Sequence, residues 1–117
     1  MAKLRDLLDK LAGRSEVEAV YVVGRDGLLI DQVGPNGAVG EAVAAMAPNL
    51  LQNARELGTA AQHEGVSTAV VEYGDGVAIV TDVSQDVILV TFVRPGTPFG
   101  DLLYELRHNR DQIRDLI

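Results

Sequence analysis

The 117-residue chain sets ten lysines and arginines against seventeen aspartates and glutamates, a formal net charge of −7, and it has no cysteine and no tryptophan. Phosphate backbones repel such a domain, so no nucleic-acid partner is expected, and a 4% aromatic content leaves little for stacking on bases or sugars. Lack of cysteine excludes a disulfide framework, a thiolate metal site and a cysteine nucleophile, and 47% hydrophobic with 23% charged residues suits one folded domain over residues 1–117.

Leu4, Leu7, Leu8 and Leu11 recur at helical spacing and predict a short amphipathic helix, with Gly13 as a left-handed cap. The opening Met1-Ala2-Lys3-Leu4-Arg5-Asp6 lacks the apolar stretch of a signal peptide. No apolar run approaches the ~18 residues that span a bilayer. The expected setting is therefore the cytoplasm, without membrane insertion.

Val17–Val23 is rich in β-branched residues, and Asp26-Gly27 separates it from Leu28-Leu29-Ile30, which together predict a hairpin. Gly34-Pro35-Asn36-Gly37 breaks the pattern, with Asn36 available to cap a helix. Residues 38–63 then read as the longest helix, closed near Gly65. Pro48 lies inside it. Either it faces outward on a bent helix, or the helix breaks there. Val66–Tyr73, Val77–Val83 and Val87–Val93 predict three strands, joined by links too short for anything but antiparallel hairpins. Thr97 as N-cap and Pro98 at the first helical position open one final helix, with Phe99, Leu102, Leu103, Leu106, Ile113 and Leu116 on its inner stripe.

The order is helix, two strands, long helix, three strands, helix. It predicts an α+β fold in which helices cover a five-stranded antiparallel sheet. That order and these lengths resemble the roadblock family, which includes roadblock-type dynein light chains and bacterial MglB-like regulators. The resemblance spans essentially the whole chain. It is carried best by the first hairpin, Glu18 to Ile30, and by the last strand leading through Gly100 into a Leu- and Arg-rich helix. These are signatures of shape rather than of catalysis. The resemblance implies a homodimer, or pairing with a paralogous roadblock chain, through the long helix and the third strand. It also implies a small Ras-like GTPase as partner, whose own residues are repositioned without a catalytic arginine being lent.

The long helix has two neighbouring apolar stripes. Val39, Val43, Met46, Leu50 and Leu57 are expected to cover the chain's own sheet. Ala44, Ala47, Leu51, Ala54 and Gly58 are expected to admit a helix from a second subunit, since small residues permit close approach. Val66, Thr68 and Val70, on a strand that lacks proline and carries only Glu72 as a charge, are expected to pair across the same interface. Glu41, Gln52, Arg55, Glu56 and Thr59 form the polar face of the helix. They are the candidate GTPase contacts, with an ordinary solvated face as the plain alternative.

Arg107, Arg110 and Arg114 line one side of the last helix, as a contact for an anion or an acidic partner, or plainly as solvated residues paired within the helix, with Asp111 four residues after Arg107. Arg25 and Arg94, the latter before Pro95, can each be considered as an arginine finger, and Arg25 qualifies by its place before the Asp26-Gly27 turn, though a plain turn role explains it. His63 and His108 form no ligand cluster, Gly74-Asp75-Gly76 lacks the lysine and the helix of a phosphate loop, and no serine sits in a nucleophile elbow. No cofactor, metal or catalytic residue is expected. The main rival is a scaffold subunit that leaves GTP hydrolysis unchanged. A metabolite sensor or enzyme on a profilin-like fold would need a polar pocket for which the sequence offers no residues.

Overall fold

In the computed structural model, residues 2–34 and 37–116 are described, so the proposed Asn36 cap lies outside the described residues. The elements are α1 (Ala2–Ala12), β1 (Val17–Gly24), β2 (Leu29–Val33), α2 (Gly37–Ala60), β3 (Thr68–Tyr73), β4 (Gly76–Asp82), β5 (Val87–Val93), α3 (Gly100–His108) and α4 (Arg110–Leu116). All neighbouring strands are antiparallel, in the order β2-β1-β5-β4-β3. The expected α+β architecture is therefore present, with β3 at one edge of the sheet.

The sheet alternates its side chains between two cores, as the two-residue period of a strand requires. Val20, Val22, Ile79 and Leu89 face Leu8 and Leu11 of α1, Leu102 and Leu106 of α3 and Ile113 of α4. Tyr21, Val23, Val80, Ile88 and Val90 face Ala44, Ala47 and Leu51 of α2. Among the described residues, three helices thus cover one face and α2 alone covers the other.

The first hairpin closes through Arg25-Asp26-Gly27. Gly27 N–H donates to the Gly24 carbonyl at 2.9 Å, and Gly27 takes φ +88°. That is a tight turn followed by a left-handed residue, which is why Asp-Gly stands there. Asp26 adds its carboxylate as acceptor for Leu28 N–H at 3.1 Å.

Several local expectations need correction. Gly13 donates to the Asp9 carbonyl at 2.9 Å, yet it is not among the described residues with positive φ. α2 runs unbroken through a half-buried Pro48. It ends at Ala60, before Gly65, in a Schellman arrangement: His63 N–H donates to the Gly58 carbonyl at 2.8 Å and Gln62 N–H to the Thr59 carbonyl at 3.0 Å. Gln62 takes the left-handed conformation, φ +68°, that glycine usually fills. Thr97 does not cap α3. Its hydroxyl donates to the Arg94 carbonyl at 2.7 Å and closes a turn, so α3 begins only at Gly100. The last helical stretch is two helices, because Asn109 (φ −101°, ψ 16°) departs from helical geometry between them.

Candidate interaction surface

α2 rests mainly on β1 and β2, displaced from the centre of the sheet. Gly40 explains the close fit at that end: a Cβ added there would lie 2.9 Å from Leu29 Cδ2 and closer still to the Gln32 amide. The row Gly40, Ala44, Ala47, Leu51 is the inward face of the helix, and Ala44 and Leu51 are wholly buried. This reverses the expected roles of the two stripes. Ala44, Ala47 and Leu51 pack on the chain's own sheet and are not available to a second subunit. Ala54 and Gly58 continue the same row, half-buried near the helix end. Small residues here serve helix-on-sheet contact, where a flat pleated surface demands close approach.

The larger stripe is the one left outside. At ~100° per residue, Val39, Val43, Met46, Leu50 and Leu57 lie on the flank beside the inward row. Met46 is 72% and Leu57 74% exposed, with Val39 at 41% and Val43 and Leu50 half-buried. The flank looks toward β3 across a groove of about 360 Å³. Val39, Met46 and Leu50 form one wall of the groove and Val71 and Tyr73 of β3 the other, over a floor that includes Val80 and Phe92. The groove exists because one helix cannot span five strands.

β3 pairs with β4 on one side, from Thr68↔Thr81 to Tyr73↔Gly76, and its other backbone edge has no strand beside it among the described residues. Val66 and Thr68 are half-buried, while Val70 is exposed on the sheet face opposite the groove. The strand therefore has the edge position assigned to it from sequence.

Of the polar residues on α2, Glu41, Gln52, Glu56 and Thr59 are exposed, and Arg55 is half-buried. Arg55 donates to Gln52 Oε1 at 2.9 Å, and Gln52 donates to Glu56 Oε1 at 3.3 Å. Arg55 also reaches Asp82 Oδ2 at 3.5 Å. The structure thus links Gln52, Arg55 and Glu56, and leaves Glu41 about three turns or more away.

The other arginines considered from sequence are engaged. Arg25 donates to Asp82 Oδ1 and to the carbonyls of Ser84 and Gln85, so it is folded onto the β4–β5 turn and does not project as a finger. Arg94 donates to the Ser15 and Val17 carbonyls. His108 stacks on Tyr104 with ring centroids 5.3 Å apart. Among the described residues no group of three or more His, Asp or Glu is placed to hold a metal. No helix of the described residues is long and apolar enough to cross a membrane.

Sequence reasoning missed Asp82, which gathers Arg25, Arg55 and the backbone contact of Arg110. Its only signal was a carboxylate ending a strand that is otherwise apolar except for Thr81.

The fold and the match of residues 3–92 to the Roadblock/LC7 domain model place this chain in the Roadblock/LC7 family. Three solved structures show how far the likeness extends. Myxococcus xanthus MglB superposes with a TM-score of 0.87 at 17% identity, covering 99% of this chain and 95% of that one. A structure described as MglB with a tetrameric arrangement gives 0.86 at 10% identity, over 98% and 88%. MglC from Myxococcus xanthus gives 0.68 at 23% identity, over 98% and 99%. At these identities the likeness is one of fold. A sequence comparison with curated proteins gives no match. Proteins of this family are regulators and adaptors rather than catalysts.

Proposed function

We propose that the chain acts in the cytoplasm as a homodimeric, non-catalytic module that partners a small Ras-like GTPase and raises its GTP turnover. The observation that carries this reading is the exposed apolar flank of α2 beside the open edge of β3. A two-fold axis at that edge would cover both features at once. β3 would pair with β3 of a second copy, and the two α2 helices would lie side by side over a continuous sheet. The interface is then Val39, Met46, Leu50, Leu57, Val71 and Tyr73 in place of the buried small-residue row. Self-association of the similar MglB described as tetrameric supports the same direction.

In that dimer the exposed polar residues Glu41, Gln52, Glu56 and Thr59 offer a platform to the GTPase, and Arg55 positions Gln52. Because Arg25 and Arg94 are bound to backbone carbonyls of their own chain, any stimulation comes from repositioning the GTPase's residues. The test is to mix the protein with the small GTPases encoded near it, loaded with GTP. Co-elution and faster phosphate release are expected. Co-elution with unchanged turnover would make the chain a scaffold, and no co-elution would overturn the GTPase assignment.

A further inference from the structure

Half of the lysines and arginines of this acidic chain, five of ten, gather at one corner: Arg25, Arg55, Arg107, Arg110 and Arg114. The corner lies where β1 and β4 end and β5 begins. Arg25, Arg55, Arg110 and Arg114 line a hollow of about 450 Å³. Arg110 is shared with an adjoining hollow of about 540 Å³, which Arg107, His108, Ser67 and Thr68 also line. Asp82 is the one carboxylate among the residues lining either hollow, and its side chain is only 14% exposed. It is already occupied by Arg25 on one oxygen and Arg55 on the other. Arg110 uses its Nε on the Asp82 backbone carbonyl, at 2.6 Å, leaving its terminal nitrogens free of any ion pair among the described residues. Arg107 likewise has no carboxylate partner among the described residues. Arg114 meets Asp111 at 3.4 Å and Asp115 at 3.9 Å, pairs exposed enough for solvent to screen.

We propose that this corner binds an acidic peptide segment of a partner protein, laid across Arg110 with carboxylates entering both hollows. Guanidinium forks match carboxylates in two-point geometry, and Arg25 and Arg110 are held by backbone carbonyls, so little rotamer freedom remains to be lost on binding. A small inorganic anion fits less well. Compact phosphate sites converge backbone N–H groups. Here the backbone atoms the arginines reach are the carbonyls of Asp82, Ser84 and Gln85, and the cationic groups are spread over two hollows. None of Val39, Met46, Leu50 and Leu57 of the α2 flank lines either hollow, although Thr68 at the start of β3 borders one and Arg55 of α2 the other.

The test titrates the full-length protein with a hexaglutamate peptide, following backbone amide and arginine Nε–H resonances. The domain as a whole repels this probe, so saturable binding marks a local site. Shifts confined to the corner and an affinity that falls with added salt are expected. The exposed double variant Arg107→Gln/Arg114→Gln should bind about ten-fold more weakly. Arg110→Gln, confirmed folded by circular dichroism, should weaken binding as well. Shifts scattered over the surface, or an affinity unchanged in both variants, would overturn the proposal. Tighter binding of inorganic phosphate than of hexaglutamate at the same arginines would overturn its assignment to a peptide.

Discussion

Gln62 holds a left-handed conformation at the end of α2 because the Schellman hydrogen bonds require it, and its side chain gains nothing visible in return. A left-handed L-residue is strained by about 1–2 kcal/mol. Gln62→Gly removes that strain while loosening the unfolded chain, so a net gain of roughly 0.5 kcal/mol is expected. Thermal unfolding at fixed pH measures it. Glu16 supplies the pH-dependent counterpart. Its carboxyl is held below the ordinary carboxylate range, first by its own backbone N–H and then by Arg14, which also binds Glu105 of α3. An acid whose folded value is depressed contributes stability at neutral pH and loses it as the pH falls through that folded value. Glu16→Gln should therefore lower Tm at neutral pH, and the gap to the wild type should close as the solution is acidified. A gap that stays constant with pH would show that the pair is not the source. At this scale the sequence was partly legible. Asp26-Gly27 announced its turn, because that chemistry is local. Thr97 misled, because a hydroxyl three residues after a free carbonyl closes a turn as readily as it caps a helix.

Every element of the fold except the division between α3 and α4 was visible as periodicity, since strand and helix spacing are written directly in Val17–Val23, Val87–Val93 and Leu4–Leu11. What periodicity could not supply was the direction α2 faces. Two apolar stripes lie side by side on that helix, and hydrophobicity alone favours burying the bulkier one. Packing decided otherwise, because the helix comes close enough to β2 at Gly40 that the small row must point inward. The consequence is a clean separation of effects. Leu51→Ala should leave a cavity in the α2-facing core and destabilise the fold by about 2–5 kcal/mol. Met46→Glu, on a side chain 72% exposed, should leave stability within about 0.5 kcal/mol of that of the wild-type monomer. Chemical denaturation of the two variants, compared with the wild type at concentrations where it is monomeric, measures both. Equal losses would mean the helix faces the sheet by its larger stripe after all.

For the molecule as a whole, one face of the sheet is closed by three helices and the other is half open, bounded by the α2 flank and the β3 edge. Those two features carry the proposed dimer, and they reinforce each other because one two-fold axis would cover both. The sequence suggested β3 correctly as an edge and left its occupant to the family resemblance, since strand pairing between copies leaves no mark in a single chain beyond missing edge protection. The polar corner around Asp82 was illegible for a different reason: Arg25, Arg55 and Arg110 come from three distant segments that only the fold brings together. The most direct test of the dimer is light-scattering mass over a concentration series, for the wild type and for Met46→Glu. The account predicts twice the chain mass of 12.5 kDa for the wild type, and a folded monomer of 12.5 kDa for the variant. A wild-type mass that stays at 12.5 kDa at every concentration would contradict it.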